Sequence, residues 1–183
     1  MNEFDMFDLG RMKYFLGIEV LQRDDGIFIC QKKYAMEVLR RFGMEESNSV
    51  LNPVLPGFKV CKDADGVMVD ATFFKQVPTE LHLHAAKRAL RYLRGTTNFG
   101  IFYMKGGSET LVAYADSEYT GDLEDKKSTS GYVFLMSSGA VSWSSKKYPI
   151  VTLSTVEAEF VAAAYCASQV VWMRRILEEL GHS

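Results

Sequence analysis

Two carboxylates stand where neighbouring residues could hold them rigidly. Asp116 follows the apolar run Leu111-Val112-Ala113-Tyr114-Ala115. Glu159 lies in Leu153-Ser154-Thr155-Val156-Glu157-Ala158-Glu159-Phe160, which reads as the opening of a helix. Side chains on a strand and on a packed helix are fixed by backbone geometry better than side chains on a loop. Mg²⁺ takes oxygen ligands. Two such ions about 3.5–4 Å apart can stabilise the attacking and leaving oxygens of a phosphodiester, provided several carboxylates converge on them. Ordinary structural roles are equally available. An Asp at a strand end commonly serves a turn, and a Glu in a helix's first turns complements the helix dipole. Glu157 has such a role without any metal, because Ser154 and Glu157 form the Ser-x-x-Glu pattern of a capping box.

Other chemistry-bearing residues are sparser. Lys87, Arg88, Arg91, Arg94 and Lys105, with Tyr92, Phe99 and Tyr103 interleaved, make the one locally basic stretch. It could touch a phosphate backbone, although a solvated helix face beside a core stripe explains it as well. His82 and His84 are two residues apart and do not share a helical face. With His182 they read as surface histidines. Cys30, Cys61 and Cys166 are scattered, so neither a zinc framework nor a disulfide framework is expected, and a reducing compartment fits.

The elements that must position these residues follow from periodicity. Tyr14, Leu16, Ile18 and Val20 alternate as in a strand. Asp25-Gly26 is turn chemistry, and Ile27–Ile29 is the expected return strand. Tyr34, Val38, Leu39 and Phe42 then give a helical stripe that Gly43 ends. The stretch from Glu46 to Asp70 holds Pro53 and Pro56 and reads as a loop. A second helix is expected from near Pro78, with Leu83, Ala86, Leu90 and Leu93 on one face. A strand follows at 101–103. The last part predicts strands at 110–115, 131–136 and 140–144 and a helix from Ser154. Val156, Phe160, Ala164, Ala167 and Val171 are its expected apolar stripe. Antiparallel strands feeding a helix give an α+β fold class.

The segments Ala113-Tyr114-Ala115-Asp116, Ser128-Thr129-Ser130-Gly131-Tyr132, Ser142-Trp143-Ser144-Ser145-Lys146-Lys147 and Ala158-Glu159-Phe160 together resemble the ribonuclease H domain of Ty1/copia-type retrotransposon polyproteins. The resemblance implies a ribonuclease H-like three-stranded antiparallel sheet plus helix over 109–183, with Asp116 and Glu159 as catalytic and metal-binding residues. It also implies Mg²⁺ or Mn²⁺ as cofactor and an RNA–DNA hybrid as partner. Lys87, Arg88, Arg91 and Arg94 would be the nucleic-acid contacts. The family's third carboxylate lies on a strand after this helix, with a fourth acid and a histidine further on. The chain given runs to Ser183, so an incomplete, inactive set is expected. Asp122, Glu124 and Asp125 match a solvated outer loop, and Tyr148 stands where the family has Gln.

The first part resembles the tail of the copia-type reverse transcriptase. Asp8-Leu9-Gly10, Lys13-Tyr14-Phe15-Leu16-Gly17-Ile18-Glu19-Val20, Gly26-Ile27, Gln31-Lys32-Lys33-Tyr34 and Pro53 carry the likeness. A palm/thumb β-hairpin–helix remnant is therefore expected over 1–76, and a connection helix and strand over 77–108. The polymerase's Tyr-x-Asp-Asp motif is not in this chain. A stretch that the family carries after Phe73-Phe74-Lys75-Gln76 is also missing before Val77-Pro78, which leaves Leu83, Leu90 and Leu93 without their neighbours. Three function classes remain: an inactive retrotransposon fragment, a residual nuclease or hybrid-binding module, and a recruited interaction or effector-type protein. Arg91-Tyr92-Leu93-Arg94 spells the R-x-L-R string of oomycete secreted effectors. Those proteins carry it after a signal peptide, whereas here Leu93 lies on an expected core stripe, so the string reads as coincidence.

Composition narrows the field. Lys+Arg total 21 against 23 Asp+Glu, a net charge of −2, which argues against strong autonomous nucleic-acid binding. With 48% hydrophobic residues, a packed core rather than wholesale disorder is expected. No apolar run reaches membrane-spanning length and no apolar leader opens the chain, so the expectation is an intracellular protein. Any protein partner or self-association would use an exposed sheet edge.

Overall fold

The computed structural model describes residues 10–61, 65–70, 79–122 and 124–181. The expectations placed on Asp8, Leu9, Pro78, His182 and the Gln76–Val77 junction lie outside them. The fold is α+β, and the described residues form two antiparallel sheets and three helices. Its contacts divide it into two units, Met1–Phe102 and Tyr103–Ser183.

The first unit begins with a run that alternates like one strand but folds back on itself. Strand β1 (Tyr14–Phe15) pairs with β2 (Ile18–Gln22), Phe15 opposite Ile18. Leu16 and Gly17 between them have φ of 46° and 83°. Two successive left-handed residues make the two-residue turn whose twist suits a hairpin. In the next turn Arg23 and Gly26 exchange backbone hydrogen bonds, so its corners are Asp24 and Asp25, one residue earlier than Asp25-Gly26 predicts. Strand β3 (Gly26–Cys30) then pairs with β2.

Helix α1 (Lys32–Arg41) gets no side-chain cap from Gln31. Its orphan N-terminus is served from β2 instead, where Glu19 Oε1 accepts from the Lys33 N–H at 2.8 Å. A carboxylate there also suits the helix dipole. At the other end Gly43 has φ 63°, its N–H bonds Arg40 O, and the Met44 N–H bonds Leu39 O. That pair of bonds is a Schellman motif. The helix buries Ala35 and Leu39, while Tyr34 and Phe42 of the expected stripe are exposed.

Helix α2 (Glu80–Gly95) starts from Thr79, whose N–H and hydroxyl lie 3.3 and 2.8 Å from His82 Nδ1. His82 is thus a capping residue. The described part of the 46–70 stretch holds no helix or strand, only an isolated bridge of Met68 to Thr79. No residue of α2 is buried, Leu83, Leu90 and Leu93 included. Strand β4 (Gly100–Met104) lies beside β3 in the order β1-β2-β3-β4. Any side chain at Gly100 would collide with the Phe28 ring and the Ile29 carbonyl.

In the second unit β5 (Leu111–Glu118), β6 (Thr129–Met136) and β7 (Gly139–Lys147) form a sheet in that order, with β5 and β7 outermost. Residues directly opposite share a face, which places Ala113 with Phe134, Ala115 with Tyr132, and Ser117 with Ser130. Tyr132 stacks on Phe134 at 4.5 Å and lies 5.8 Å from Tyr165 of helix α3 (Thr155–Glu179). This face therefore carries α3, and Phe134 is fully buried on it.

Helix α3 buries Ala158, Ala162 and Cys166, whereas the expected stripe is outside, with Phe160 71% and Val156 60% exposed. Both sides of this helix are apolar, so a 3.6-residue period fits either one. The stacked rings already fill the sheet face, and short side chains pack closest against them. The cap is as expected at Ser154, whose Oγ accepts from the Glu157 N–H at 3.1 Å. Glu157 reaches one residue further back than a standard box, to the Leu153 N–H at 2.6 Å.

Candidate active-site carboxylates

Glu159 stands on the flank of α3 that faces β5, where its Oε1 accepts from Ser117 Oγ at 2.9 Å. Asp116 is the preceding residue of that strand, paired opposite Gly131. It does not end the strand, because the ladder continues to Glu118. Successive side chains of a strand point to opposite faces. Ser117 is on the α3 face, so Asp116 lies on the other one, and it is exposed. The two carboxylates are neighbours along the fold but not convergent. Among the described residues no three His, Cys, Asp or Glu side chains group closely enough to hold a metal ion. As placed, Asp116 and Glu159 do not compose the oxygen cage that Mg²⁺ requires.

A second acidic group is tightly organised. Asp122 Oδ1 accepts from the N–H groups of Glu124 and Asp125 at 2.8 and 3.1 Å. Lys147 Nζ, at the end of β7, lies 2.6 Å from Asp122 Oδ2 and 3.0 Å from Asp125 Oδ2. The Lys147 bond, aided by those two amides, holds the Asp122 carboxyl far below the usual carboxylate range, and the same carboxylates raise Lys147. Lys127 adds a contact to Asp125 at 3.4 Å. The loop between β5 and β6 is thus fastened to β7. Behind it the Ser128 and Thr152 hydroxyls meet at 2.8 Å in a buried pair.

The basic stretch lies on α2. Lys87 is exposed. Arg88 donates to Asn52 Oδ1 at 2.5 Å, Arg91 to Asn48 O at 2.7 Å, and Arg94 to Glu45 O at 2.5 Å. Spacing of three puts these guanidinium groups along one side of the helix, where they tie down the 45–52 segment. A polar hollow of about 470 Å³ beside Arg94 is lined by Glu46, Ser47, Asn48, Ser49 and Thr97.

Ser117 and Lys147 are the participants that sequence reasoning missed. Both act through strand register, which no local pattern encodes, although the Ser142–Lys147 segment had marked β7 itself.

The profile of the family described as reverse transcriptase (RNA-dependent DNA polymerase) matches residues 1–56. The chain is 34% identical over 207 residues to the retrovirus-related Pol polyprotein from transposon RE1 of Arabidopsis thaliana, covering 98% of this chain and 14% of that one. It is 32% identical over 217 residues to the retrovirus-related Pol polyprotein from transposon TNT 1-94 of Nicotiana tabacum, covering 98% and 16%. It thus spans a small part of the length of these polyproteins. It is also 41% identical over 100 residues to the secreted RxLR effector protein 161 of Plasmopara viticola, covering 55% of this chain and 70% of that one. No solved structure matches. No helix among the described residues is long and apolar enough to cross a membrane. The likeness to the Pol polyproteins runs through nearly the whole chain, the reverse transcriptase profile fits its first part, and the chain therefore belongs to the family of copia-type retrotransposon Pol polyproteins.

Proposed function

We propose that this chain is a Pol-derived segment without nuclease or polymerase turnover of its own. Its first unit is a reverse transcriptase hairpin–helix remnant and its second a ribonuclease H-like sheet and helix. The parent chemistry is RNA-directed DNA synthesis and RNA cleavage in RNA–DNA hybrids. The observation that carries the reading is the placement of Asp116 and Glu159 on opposite faces of one sheet. Two-metal hydrolysis needs its carboxylates to converge, and these do not. Mg²⁺ or Mn²⁺ bound by this chain would supply Lewis-acid chemistry, but the carboxylates as placed do not fit it.

Hybrid binding is expected to be weak. Arg88, Arg91 and Arg94 already donate within the protein, and the net charge of −2 offers no attractive field. The alignments to the two Pol polyproteins run over 207 and 217 residues, more than the 183 of this chain. Those relatives therefore carry residues that it lacks. We place the gap after Gln76, where the family sequence breaks, and the absence of any buried residue on α2 supports this.

The test is cleavage of a labelled RNA–DNA hybrid by the purified chain with Mg²⁺ or Mn²⁺, alongside Glu159→Gln. A folded chain that leaves the hybrid intact is the expected result. Cleavage that disappears in the variant would overturn the proposal.

A second reading, an interaction protein that uses only the fold, is favoured by the 41% identity to an effector protein. It predicts stable association with a host protein, and the association should persist after Glu159→Gln and Asp116→Asn.

A further inference from the structure

We infer that the tip of the β5–β6 loop is a flap on the Asp116 face of the sheet, hinged at Thr120 and latched by Lys147. Register locates the hinge. Glu118 pairs with Thr129 at the end of the ladder, and beyond it the Asp122 N–H bonds Lys127 O at 3.3 Å. Residues 119–121 of one arm therefore stand against Ser128 of the other. Surplus residues on one arm bend a hairpin out of its line.

Backbone strain lies at the same point. Thr120 has φ 49°, a left-handed conformation that is an outlier for a β-branched residue. Such strain persists only where the surroundings over-determine it. One restraint here is fixed. The Thr120 N–H bonds Ser128 Oγ at 3.2 Å, and Ser128 is fully buried, joined to the Thr152 hydroxyl and to the Tyr148 N–H. The other restraint is ionic and open to solvent. Lys147 Nζ reaches Asp122 and Asp125 at 2.6 and 3.0 Å, and the three side chains are 43%, 31% and 39% exposed.

The tip is bonded to move as a unit. Asp122 Oδ1 accepts from the N–H groups of Glu124 and Asp125, and Asp125 Oδ1 accepts from that of Lys127. These bonds survive a swing about Thr120. Without the latch, Thr120 can relax into the extended region that β-branched residues prefer, and this carries the tip away from β7.

The consequence of opening follows from the faces. Residues directly opposite share a face, so Glu118, Thr129 and Lys147 form one row across the sheet. Asp116, Gly131 and Ser145 form the row two residues along, on the same face. Closed, the flap sets Asp122 and Asp125 against the Lys147 ammonium. Open, that ammonium stands uncompensated one row from Asp116. The flap thus sets the charge beside Asp116, and salt should release it, because exposed charges are screened within about 3 Å at about 1 M ionic strength.

The experiment is a spin-label distance measurement between Glu124→Cys on the tip and Val141→Cys on β7, in the full chain carrying Cys30→Ser, Cys61→Ser and Cys166→Ala. Both label positions are exposed. Low salt should give one narrow distance distribution, and about 1 M NaCl should add a broad, longer one. Lys147→Gln should give the broad distribution at either salt, with unchanged circular dichroism. Thr120→Asn, which places a residue tolerant of the left-handed region at the hinge, should keep the narrow distribution at high salt. A distribution already broad at low salt, or one that Lys147→Gln leaves narrow, would overturn the latch. Opening that Thr120→Asn does not reduce would overturn the hinge.

Discussion

Asp122 gains its organisation from Lys147, a partner 25 residues away, and the consequence is a pH-dependent contribution to stability. Its carboxyl is lowered and the Lys147 ammonium raised. The contribution is complete between the ordinary carboxylate value near 3.9 and the ordinary lysine value near 10.4. It is lost in acid as pH falls towards the lowered Asp122 value, and in alkali as pH rises through the raised Lys147 value. Asp122→Asn should therefore lower the urea midpoint at neutral pH by a small amount, as expected for exposed ion pairs. The gap to wild type should close as the pH is taken into acid. A gap that does not change with pH would mean that the loop is held by the backbone bonds alone. The sequence places Asp122 and Asp125 in a solvated loop; the register Thr129 opposite Lys147 is what converts them into a clasp, and no spacing rule shows it. Glu159 is a similar case, since its helix was legible but its Ser117 partner was not. Ser117→Ala should move stability by no more than about 0.5 kcal/mol, the range of exposed substitutions, in the same urea titration.

Elements were legible where local chemistry decides and illegible where two sides of an element look alike. Gly43 and Ser154 were read correctly because each supplies one backbone need, a left-handed residue and an oxygen acceptor. Gly43→Ala forces a Cβ into φ 63° and should cost about 1–2 kcal/mol. Ser154→Ala should cost about 1 kcal/mol through the lost Glu157 N–H bond, and thermal melts of both variants check the pair. The strand expected across Leu16 failed because alternation continues through a tight turn that uses only Leu16 and Gly17. The stripe on α3 failed because Ala158, Ala162 and Cys166 are as periodic as Val156, Phe160 and Ala164. The arginines of α2 read in the sequence as a solvated helix face that could also touch phosphate, and in the structure three of them bond the 45–52 segment. Arg91→Ala combined with Arg94→Ala should free that segment, and limited proteolysis should then cut it faster than in wild type. An unchanged cleavage rate would mean that these bonds do not hold the segment.

At the scale of the whole molecule the apolar fraction is ample, but little of it is deeply buried. Among the described residues of the second unit, Phe134 is the one large apolar side chain that is fully buried, and large groups such as Trp143, Phe160 and Trp172 are exposed. Phe134 touches Tyr132 on the face of the sheet that carries α3, so its removal leaves a cavity on that face. Phe-to-Ala changes in cores cost about 3–5 kcal/mol, against about 5–15 kcal/mol for a whole domain. In a unit with so thin a core that loss should exceed most of the available stability. Phe134→Ala should abolish the near-ultraviolet dichroism of Tyr132, Trp143 and Tyr165, and should remove hydrogen-exchange protection from the β5–β6 ladder. The hairpin amides of β2 and β3, in the other unit, should keep theirs. Loss of protection in both units together would mean that they fold as one cooperative body. Retention in both would mean that burial on the sheet face is not what holds α3.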